Sequence, residues 1–318
     1  MSSLRVFAGA ILVALGVTAA TLASSSAAEL KEVRVGFQKA NIFPAVKQRQ
    51  TLENALKGRG VTVRWVEFQF GPPLLEALNT GNIDFGYTGD APPIFAQAAA
   101  ANLLYVAALP ASGQNEALIV TENSPIRSVG DLKGKRVGVA KGSSPHNTLL
   151  ALLEKAGLSF TDITPVYLAP ADATAAFSGG SIDAWVIWDP YLALAEGNKA
   201  RVVAWARDGH RSNSFFLANR DFTRAHADLV TQIIETFAAE VKWGDANRVE
   251  VVTALHEATG FNQDALSRAI GRSAFSVVPL NDTIVANQQK VADRFHKLGL
   301  IPTPIVVKDI VWIWNPGS

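Results

Sequence analysis

The chain carries the same pattern of strands and helices twice, and this repeat constrains its fold more than any other feature. The first copy opens with a buried strand at 33–37 and closes with a strand at 81–87, and the second copy runs from 136–139 to 181–187. The closing segments correspond almost residue by residue, Gly81-Asn82-Ile83-Asp84 answering Gly180-Ser181-Ile182-Asp183. Each copy reads as β-α-β-α-β, which builds a parallel sheet through right-handed crossovers. We therefore expect an α/β protein with two related lobes.

The remaining elements follow from hydrophobic periodicity. Within the copies we expect strands at 61–66 and 165–168, and helices that end near 56–58 or cover 74–78, 148–156 and 171–177. After Arg220 the pattern becomes helical at 225–243, 264–270 and 282–298, and the apolar tail at 305–314 should dock. Strands at 116–121 and 213–219 are the natural crossovers between lobes. This predicts one lobe from 29–118 plus 214–318 and another from 119–213.

Residues 1–28 have the character of a secretory signal peptide. Arg5 supplies a positive start, an apolar run follows at 6–15, and Ser26-Ala27-Ala28 fits a cleavage site before Glu29. An uncleaved anchor is the alternative, although Thr and Ser dilute the second half of the stretch. No later segment approaches the ~20 apolar residues of a membrane span. We expect a periplasmic protein.

Composition removes several function classes. Without Arg5 the chain has 28 basic and 28 acidic residues, so it has no basic excess for binding nucleic acid. It contains no cysteine, which excludes disulfides, thiolate zinc sites and cysteine nucleophiles. With 48% hydrophobic residues the chain can build a sizeable core.

Ligands of open parallel sheets bind beyond the carboxyl ends of the strands. This rule selects four loops, at 38–41, 88–91, 141–146 and 188–190. The loop Gly142-Ser143-Ser144-Pro145-His146 is the most informative, because Ser144 can cap a helix that Pro145 begins. Free backbone N–H groups and two hydroxyls at a helix start make a site for an anion, although Ser144 could act as a cap alone.

Other residues of these loops have more than one interpretation. The Gln38 amide can donate to an oxygen, and Trp188 can cover an apolar tail or pack in the core. Asp90 and Asp189 fit helix N-caps, and the sequence leaves open whether they also touch a ligand. Of Phe215 and its neighbour Phe216, one should face the cleft.

Signals for catalysis are weak. His146 follows Ser144 by two residues, a spacing that no Ser-His-Asp elbow uses, and the sequence has no G-x-S-x-G. The loop at 141–146 lacks the Gly-Lys-Ser/Thr ending of a P-loop, and no cluster of metal ligands emerges. The residues favour binding over chemistry.

Taken together, the sequence resembles the periplasmic substrate-binding proteins of ABC importers for aliphatic sulfonates, within the nitrate, sulfonate and taurine group. The resemblance rests on segments spread over the mature chain, at 35–39, 88–97, 124–126, 131–135, 141–146 and 184–191. It implies a type II periplasmic binding fold, in which each lobe is a mixed sheet flanked by helices and the sulfonate lies between the lobes. Phe37 stands where Tyr is expected in relatives, and Pro145 replaces a commonly small residue. The resemblance therefore does not determine which sulfonate tail the protein prefers.

The resemblance also implies partners and a set of binding residues. We expect an anionic organosulfonate as ligand, an ABC permease and ATPase as partners, a monomer, no enzymatic activity, and neither cofactor nor metal. The expected ligand-binding residues are Gln38, Gly89, Asp90, Ser143, Ser144, His146, Trp188, Asp189 and Phe215.

Three alternatives remain beside this interpretation. The ligand could be taurine, nitrate or an aromatic sulfonate, which the sequence does not separate from an alkanesulfonate. An enzyme on the same fold, such as a sulfinate desulfinase or a pyrimidine-forming relative, is disfavoured because both imply reactive cysteine chemistry. A purely structural protein would leave the four cleft loops unexplained.

Overall fold

The computed structural model describes residues 30–316. The expected signal peptide and its cleavage site lie outside the described residues. The described strands are β1 (Glu32–Phe37), β2 (Thr62–Glu67), β3 (Phe85–Thr88), β4 (Leu103–Pro110), β5 (Glu116–Thr121), β6 (Arg136–Val139), β7 (Thr164–Tyr167), β8 (Ala184–Trp188), β9 (Ala200–Trp205) and β10 (Asn213–Asn219). The helices are α1 (Phe43–Gln48), α2 (Thr51–Leu56), α3 (Gly71–Asn79), α4 (Ala91–Ala98), α5 (Ser144–Lys155), α6 (Pro170–Ser178), α7 (Tyr191–Gly197), α8 (Ala206–Gly209), α9 (Arg220–Ala225), α10 (Ala227–Ala246), α11 (Arg248–Thr259), α12 (Gln263–Arg272) and α13 (Asp282–Lys297). Among residues 30–316, no helix has the length and apolar character needed to cross a membrane.

The strands form two mixed sheets of five strands each. The first sheet has the order β2-β1-β3-β10-β4 and the second has the order β7-β6-β8-β5-β9. In the first sheet, β1 is parallel to β2 and β3, whereas β10 is antiparallel to β3 and β4. The second sheet repeats this arrangement, with β6 parallel to β7 and β8 and with β5 antiparallel to β8 and β9. The two β-α-β-α-β copies predicted from the sequence therefore form the parallel parts of two equivalent sheets.

The repeat extends to individual atoms. The backbone N–H of Arg34 donates to Asp84 Oδ2 at 2.7 Å, and the guanidinium donates to the same carboxylate at 2.9 and 2.5 Å. Arg136 and Asp183 repeat these three bonds in the second sheet at 2.8, 3.2 and 2.8 Å. Each pair fixes the start of the first strand of its copy to the segment that precedes the third strand. The second pair is more open to solvent, since the Asp183 side chain is 33% exposed and that of Asp84 is 5% exposed.

Each repeat also needs one glycine in its first strand. A Cβ on Gly36 would lie 2.5 Å from Ile83 Cδ1, and a Cβ on Gly138 would lie 2.4 Å from Ile182 Cδ1. The isoleucine of the closing segment packs directly over the strand at both places. The space for it exists only because the strand residue has no side chain.

The closing strands are shorter than the sequence predicts. β3 begins at Phe85 and β8 at Ala184, whereas strands were expected from residues 81 and 181. Gly81 and Gly180 have φ of 68° and 72°, so each turns the chain out of the preceding helix before the strand can start. Helix α5 shows the opposite difference, because it starts at Ser144 and not at residue 148.

The chain passes from the first sheet to the second between β4 and β5 and returns between β9 and β10. Both expected crossover strands form, but each lies along its full length in one sheet, β5 in the second and β10 in the first. The expected boundary at 118/119 thus falls inside β5. Helices α9 to α13 follow β10, and Val307 and Trp314 of the expected tail are buried.

Candidate functional site

The four loops selected from the sequence meet at one cleft between the two sheets. Gln38 and Gly89 line the cleft from the first sheet, while Ser144 and Trp188 line it from the second. The cleft encloses about 1330 Å³, including its opening to solvent. The carboxyl ends of the parallel strands therefore face each other, as the position of ligands in open sheets requires.

The cleft has a polar end, and the start of helix α5 forms the side of that end that belongs to the second sheet. Ser143 holds the N-cap position and Ser144 is the first helical residue, so the expected cap by the Ser144 hydroxyl is wrong by one position. The Ser143 hydroxyl donates to the Ala140 carbonyl at 2.7 Å and makes no cap bond either. Both serines line the cleft at the start of the helix. There the N–H groups of Ser143 and His146 donate to the carbonyls of Ala140 and Ser143, and Pro145 has no N–H, so the N–H of Ser144 is the first that the helix can offer to a ligand.

Gly89 and Ser144 lie close together across the cleft. A Cβ on Gly89 would lie 2.7 Å from Ser144 Cβ and 2.8 Å from Ser144 Oγ. A glycine at position 89 thus allows the two rims of the cleft, the loop at Gly89 and the start of α5 at Ser144, to lie this close. The Gly89 backbone faces the cleft without a side chain in front of it.

The first-sheet side carries several neutral hydrogen-bonding groups. The Gln38 amide donates to the Tyr87 carbonyl at 3.0 Å, and the Tyr87 hydroxyl donates to Ser214 Oγ at 2.9 Å. Asn41 has a left-handed backbone with φ of 57°, and its Oδ1 accepts from the N–H of Phe43 at 2.9 Å. Its Nδ2 is buried, has no hydrogen-bond partner within 3.5 Å and lies near the Tyr87 hydroxyl, which places a donor at the cleft. Asn41 belongs to one of the four loops selected from the sequence, but its side chain was not among the expected binding residues.

Asp90 lies behind the cleft lining, not on it. Its side chain makes no cap bond to helix α4, which contradicts the expected capping role. Instead, Oδ2 accepts from Asn147 Nδ2 at 2.8 Å and lies 3.7 Å from His210 Nδ1. Burial raises the pKa of Asp90 and lowers that of His210, and the pairing between them opposes both shifts. Asp90 thus supports the start of α5 through Asn147.

Asp189 does line the cleft and does bond to the first turn of the following helix. Its Oδ1 accepts from the N–H of Ala193 at 3.1 Å and from Arg272 Nη2 at 3.2 Å. Burial raises the pKa of Asp189 to about 7, although the Arg272 charge acts in the opposite direction. Trp188, the residue before it, is half-buried at the cleft and has its ring edge-to-face with Tyr191 at 6.2 Å.

Two expected binding residues do not reach the cleft. His146 is fully buried, with its ring 5.5 Å from Phe160 and 5.8 Å from Phe295, and burial lowers its pKa to about 4. Phe215 is also fully buried and packs edge-to-face on Tyr105 at 4.9 Å.

Phe216 does not face the cleft either. It lies in an aromatic cluster with Phe43, Phe85 and Phe237, at ring distances of 5.7, 5.3 and 5.2 Å. The expectation that one of the phenylalanine pair faces the cleft is therefore wrong. β10 lies between β3 and β4 and is covered on both faces of the sheet. The side chains of Phe215 and Phe216 therefore point into two buried cores on opposite faces, and neither reaches the cleft.

A buried acid of the cleft was not recognised from the sequence. Glu116, the first residue of β5, is 5% exposed, lines the cleft, and has no hydrogen-bond partner at Oε1. Burial raises the pKa of Glu116 to about 8, the Asp90 charge adds to the shift, and the hydroxyls of Thr148 and Ser144 oppose it. The one feature of the sequence that could have indicated this acid is a single Glu at the start of an otherwise apolar strand.

The cleft continues into an apolar recess between helices α10, α11 and α12. Its apolar lining side chains come from all three helices and from the segment after them: Val241, Leu255, Leu266, Ala269, Ile270 and Phe275. Thr259 and Ser273, at the ends of α11 and α12, also line it. Ile42 contributes from the first-sheet side. Helix α11 was not predicted from the sequence, and neither was this recess.

Comparison with known proteins decides the family. Residues 56–243, more than half of the chain, match the family described as NMT1/THI5 like. The chain belongs to the NMT1/THI5-like family. It is 40% identical to the alkanesulfonate-binding protein SsuA from Xanthomonas axonopodis pv. citri bound to MOPS. The two structures superpose with a TM-score of 0.84 over 90% of this chain and 99% of that one.

A second relative of this NMT1/THI5-like chain is the periplasmic aliphatic sulphonate binding protein SsuA from Escherichia coli. It is 39% identical, with a TM-score of 0.82, over 91% of this chain and 94% of that one. These findings confirm the resemblance and the two-lobe α/β fold class expected from the sequence. The desulfurization enzyme DszB, at 15% identity and a TM-score of 0.66 over 88% of this chain and 96% of its own, shares the fold alone.

Proposed function

We propose that this protein is a receptor that captures aliphatic sulfonates between its two sheets and delivers them to an ABC importer. The observation that carries the proposal is the continuity of the cleft, which joins a polar end with neutral donors to an apolar recess. The names of the two similar SsuA proteins, which describe binding of sulfonates, support it.

The head group would bind at the polar end. A sulfonate spreads one negative charge over three oxygens, so several neutral donors from different directions suit it better than one ammonium. Ser144 and the start of α5 would donate from one side, and Gln38 and the Gly89 backbone from the other. The Ser143 hydroxyl, which donates to the Ala140 carbonyl, would join them only by turning from that carbonyl to the ligand. Gln38 uses one amide N–H on Tyr87 and keeps the second for the ligand, and Asn41 Nδ2 adds a donor.

The tail would pass Trp188 and enter the recess. Alkyl and aryl tails gain by leaving water there, whereas the ammonium group of taurine would lose hydration among the apolar side chains, and the nearby Asp189 carboxylate is already engaged by Arg272. Nitrate has no tail to place in the recess. The recess thus favours an aliphatic sulfonate over taurine and nitrate, while an aromatic sulfonate stays the second candidate.

The test is a calorimetric series of sodium alkanesulfonates from methane- to octanesulfonate, with taurine and sodium nitrate beside them. Each added methylene should strengthen binding about fourfold, from ~0.8 kcal/mol per buried CH₂, until the recess is full. Thermal-shift screening of the same compounds provides an independent measure, because a ligand of the folded state raises Tm. Taurine binding as tightly as propanesulfonate would contradict the assignment.

Substitution of Gln38 tests the head-group site. Gln38→Ala removes one donor to a charged group and should weaken sulfonate binding by about 1.5–3 kcal/mol, or roughly ten- to a hundredfold. Gln48→Ala, at an exposed glutamine of helix α1, is the matched control and should bind like the parent. Equal affinity in both variants would remove Gln38 from the site.

The receptor would work by closing two lobes, each built around one sheet, as a monomer. Ligand that binds the closed form better than the open form shifts the population toward it. Small-angle scattering should therefore give a smaller radius of gyration with saturating sulfonate. An unchanged radius would favour a rigid site.

Delivery to a permease and ATPase requires export, and we assign that step to residues 1–28. The mature protein would then begin at Glu29 in the periplasm and act there without enzymatic chemistry, consistent with the lack of cysteine. Intact-mass measurement of periplasmic material should give the mass of the chain without its leader. A membrane-retained species of full length would contradict this.

A further inference from the structure

Glu116 occupies a position in which a negative charge is unfavourable. It is 5% exposed at the wall of the cleft, its Oε1 has no hydrogen-bond partner, and no basic side chain of the described chain counters its charge. A buried carboxylate without a compensating partner is costly, and such a group takes up a proton instead.

Charged and titratable groups face Glu116 from several elements. Asp90, at the start of α4, adds a negative charge that disfavours ionisation, and Tyr87 of β3 is electrostatically coupled to Glu116 across the cleft. The charges that could compensate are engaged elsewhere: His210 lies against Asp90, Arg294 donates to Asn147, and Arg272 pairs with Asp189. Burial and Asp90 together raise the pKa of Glu116 to about 8.

The neighbours of Glu116 on α5 link it to the proposed head-group site. The hydroxyls of Ser144 and Thr148 stabilise the ionised form of Glu116. An ionised Glu116 would hold the Ser144 proton and repel an anion beside it. A protonated Glu116 leaves the Ser144 hydroxyl free to turn to the ligand and is itself a donor.

We propose that Glu116 is a specificity-determining residue that must be protonated when the anionic head group is bound, so that binding at alkaline pH takes up one proton. The inference rests on the proposed function, because it needs an anion next to Ser144. A sulfonate brings no proton of its own near neutral pH, and the proton must therefore come from solvent and reside on the protein.

The experiment is calorimetry of hexanesulfonate with the mature protein from pH 6 to pH 9.5. Affinity of the parent should be constant at low pH and should fall up to tenfold per pH unit above about pH 8. The same titration in buffers of different ionisation enthalpy gives the number of protons taken up per sulfonate bound. That number should be near zero at pH 6 and should approach one at pH 9.

Glu116→Gln imitates the protonated acid in shape and as a donor. This variant should bind with the low-pH affinity of the parent at every pH and should take up no proton. Glu122→Gln, at an exposed residue just after β5, is the matched control and should keep the pH dependence of the parent. If Glu116→Gln does not fold, the pH at which the affinity of the parent begins to fall decides, since about 8 fits Glu116 and about 7 would fit Asp189 and overturn the role of Glu116.

The outcomes separate the two proposals. Binding by the parent that is independent of pH and takes up no proton would overturn the role of Glu116 and leave the proposed function standing. A folded Glu116→Gln protein that retains the parent's pH dependence would also overturn that role. Absence of sulfonate binding at every pH in both proteins would overturn the proposed function, and the role of Glu116 with it.

Discussion

Replacing Gly89 by alanine should weaken ligand binding without unfolding the protein. The new Cβ would lie 2.7 Å from Ser144 Cβ and 2.8 Å from Ser144 Oγ, whereas ordinary contact starts at 3.4 Å. The two rims must therefore separate by about 0.7 Å. Ser144 cannot easily move alone, because it begins helix α5 and the rest of that helix is largely buried.

The size of the effect follows from what the displacement disrupts. The donors proposed for the head group lie on both rims, and a shift of this size lengthens the hydrogen bonds from one of them. Loss of one donor to a charged group costs about 1.5–3 kcal/mol, which is roughly ten- to a hundredfold in affinity. Overpacking costs typically ~1–3 kcal/mol in a closed core, and less here because the cleft can open.

Calorimetry with hexanesulfonate measures the affinity, and thermal unfolding measures the stability. Gly271→Ala is the matched control, since a Cβ at Gly271 of helix α12 meets nothing within 4 Å. The control should bind like the parent. A Gly89→Ala protein that binds hexanesulfonate within twofold of the parent would refute the close approach of the rims as the reason for this glycine.

Three further predictions concern stability. Arg34→Met should lower the free energy of unfolding by roughly 3–5 kcal/mol in urea titrations because it leaves the buried Asp84 carboxylate without a counter-charge, whereas Arg136→Met should have a much smaller effect at its more exposed site. His146 has its pKa lowered to about 4, so its contribution to the free energy of unfolding should be constant above pH 6.5 and should fall as pH drops toward 4. The difference in Tm between His146→Gln and the parent should therefore be constant above pH 6.5 and should change between pH 6.5 and pH 4. Glu116 has its pKa raised to about 8, so its burial destabilises the fold progressively as pH rises from 4.5 to 8, and Glu116→Gln should have the higher Tm at pH 9.

The fold could be predicted from the sequence because its information is local. Alternating and buried strands, glycines that end helices, and the duplicated Gly-x-Ile-Asp segment each act within a few residues. The paired Asp84 and Asp183 were visible as part of that duplication, although their partners Arg34 and Arg136 were not assigned. Strand starts were less accurate, because a left-handed glycine delays the strand by several residues.

The site was predictable only where strand ends determine it. Gln38, Gly89 and Ser144 follow parallel strands, so the rule for open sheets brought them to one cleft. His146 follows a strand too, but helix α5 turns its ring into the core. Glu116 was missed because its position in the cleft depends on which strands flank β5, a long-range fact that periodicity does not contain.

The recess was missed for a related reason. Its walls come from α10, α11 and α12, and side chains such as Leu255 and Leu266 carry an apolar pattern that serves equally for core packing. The angles at which the three helices cross determine which apolar residues line a cavity. Those angles cannot be derived from a single sequence.

The place of β10 inside the first sheet has a consequence for the order of folding. The second sheet uses β5 to β9, which are contiguous in the chain, whereas the first sheet needs β10 between β3 and β4. During synthesis the first sheet cannot close until residues 213–219 and the helices behind them have emerged. Strands separated by so many residues pair late, because the chain loses the entropy of the long loop between them before the pairing contacts form. A precursor with the proposed leader would thus stay incompletely folded until more than two thirds of it is made, which suits a chain that must still be threaded across a membrane.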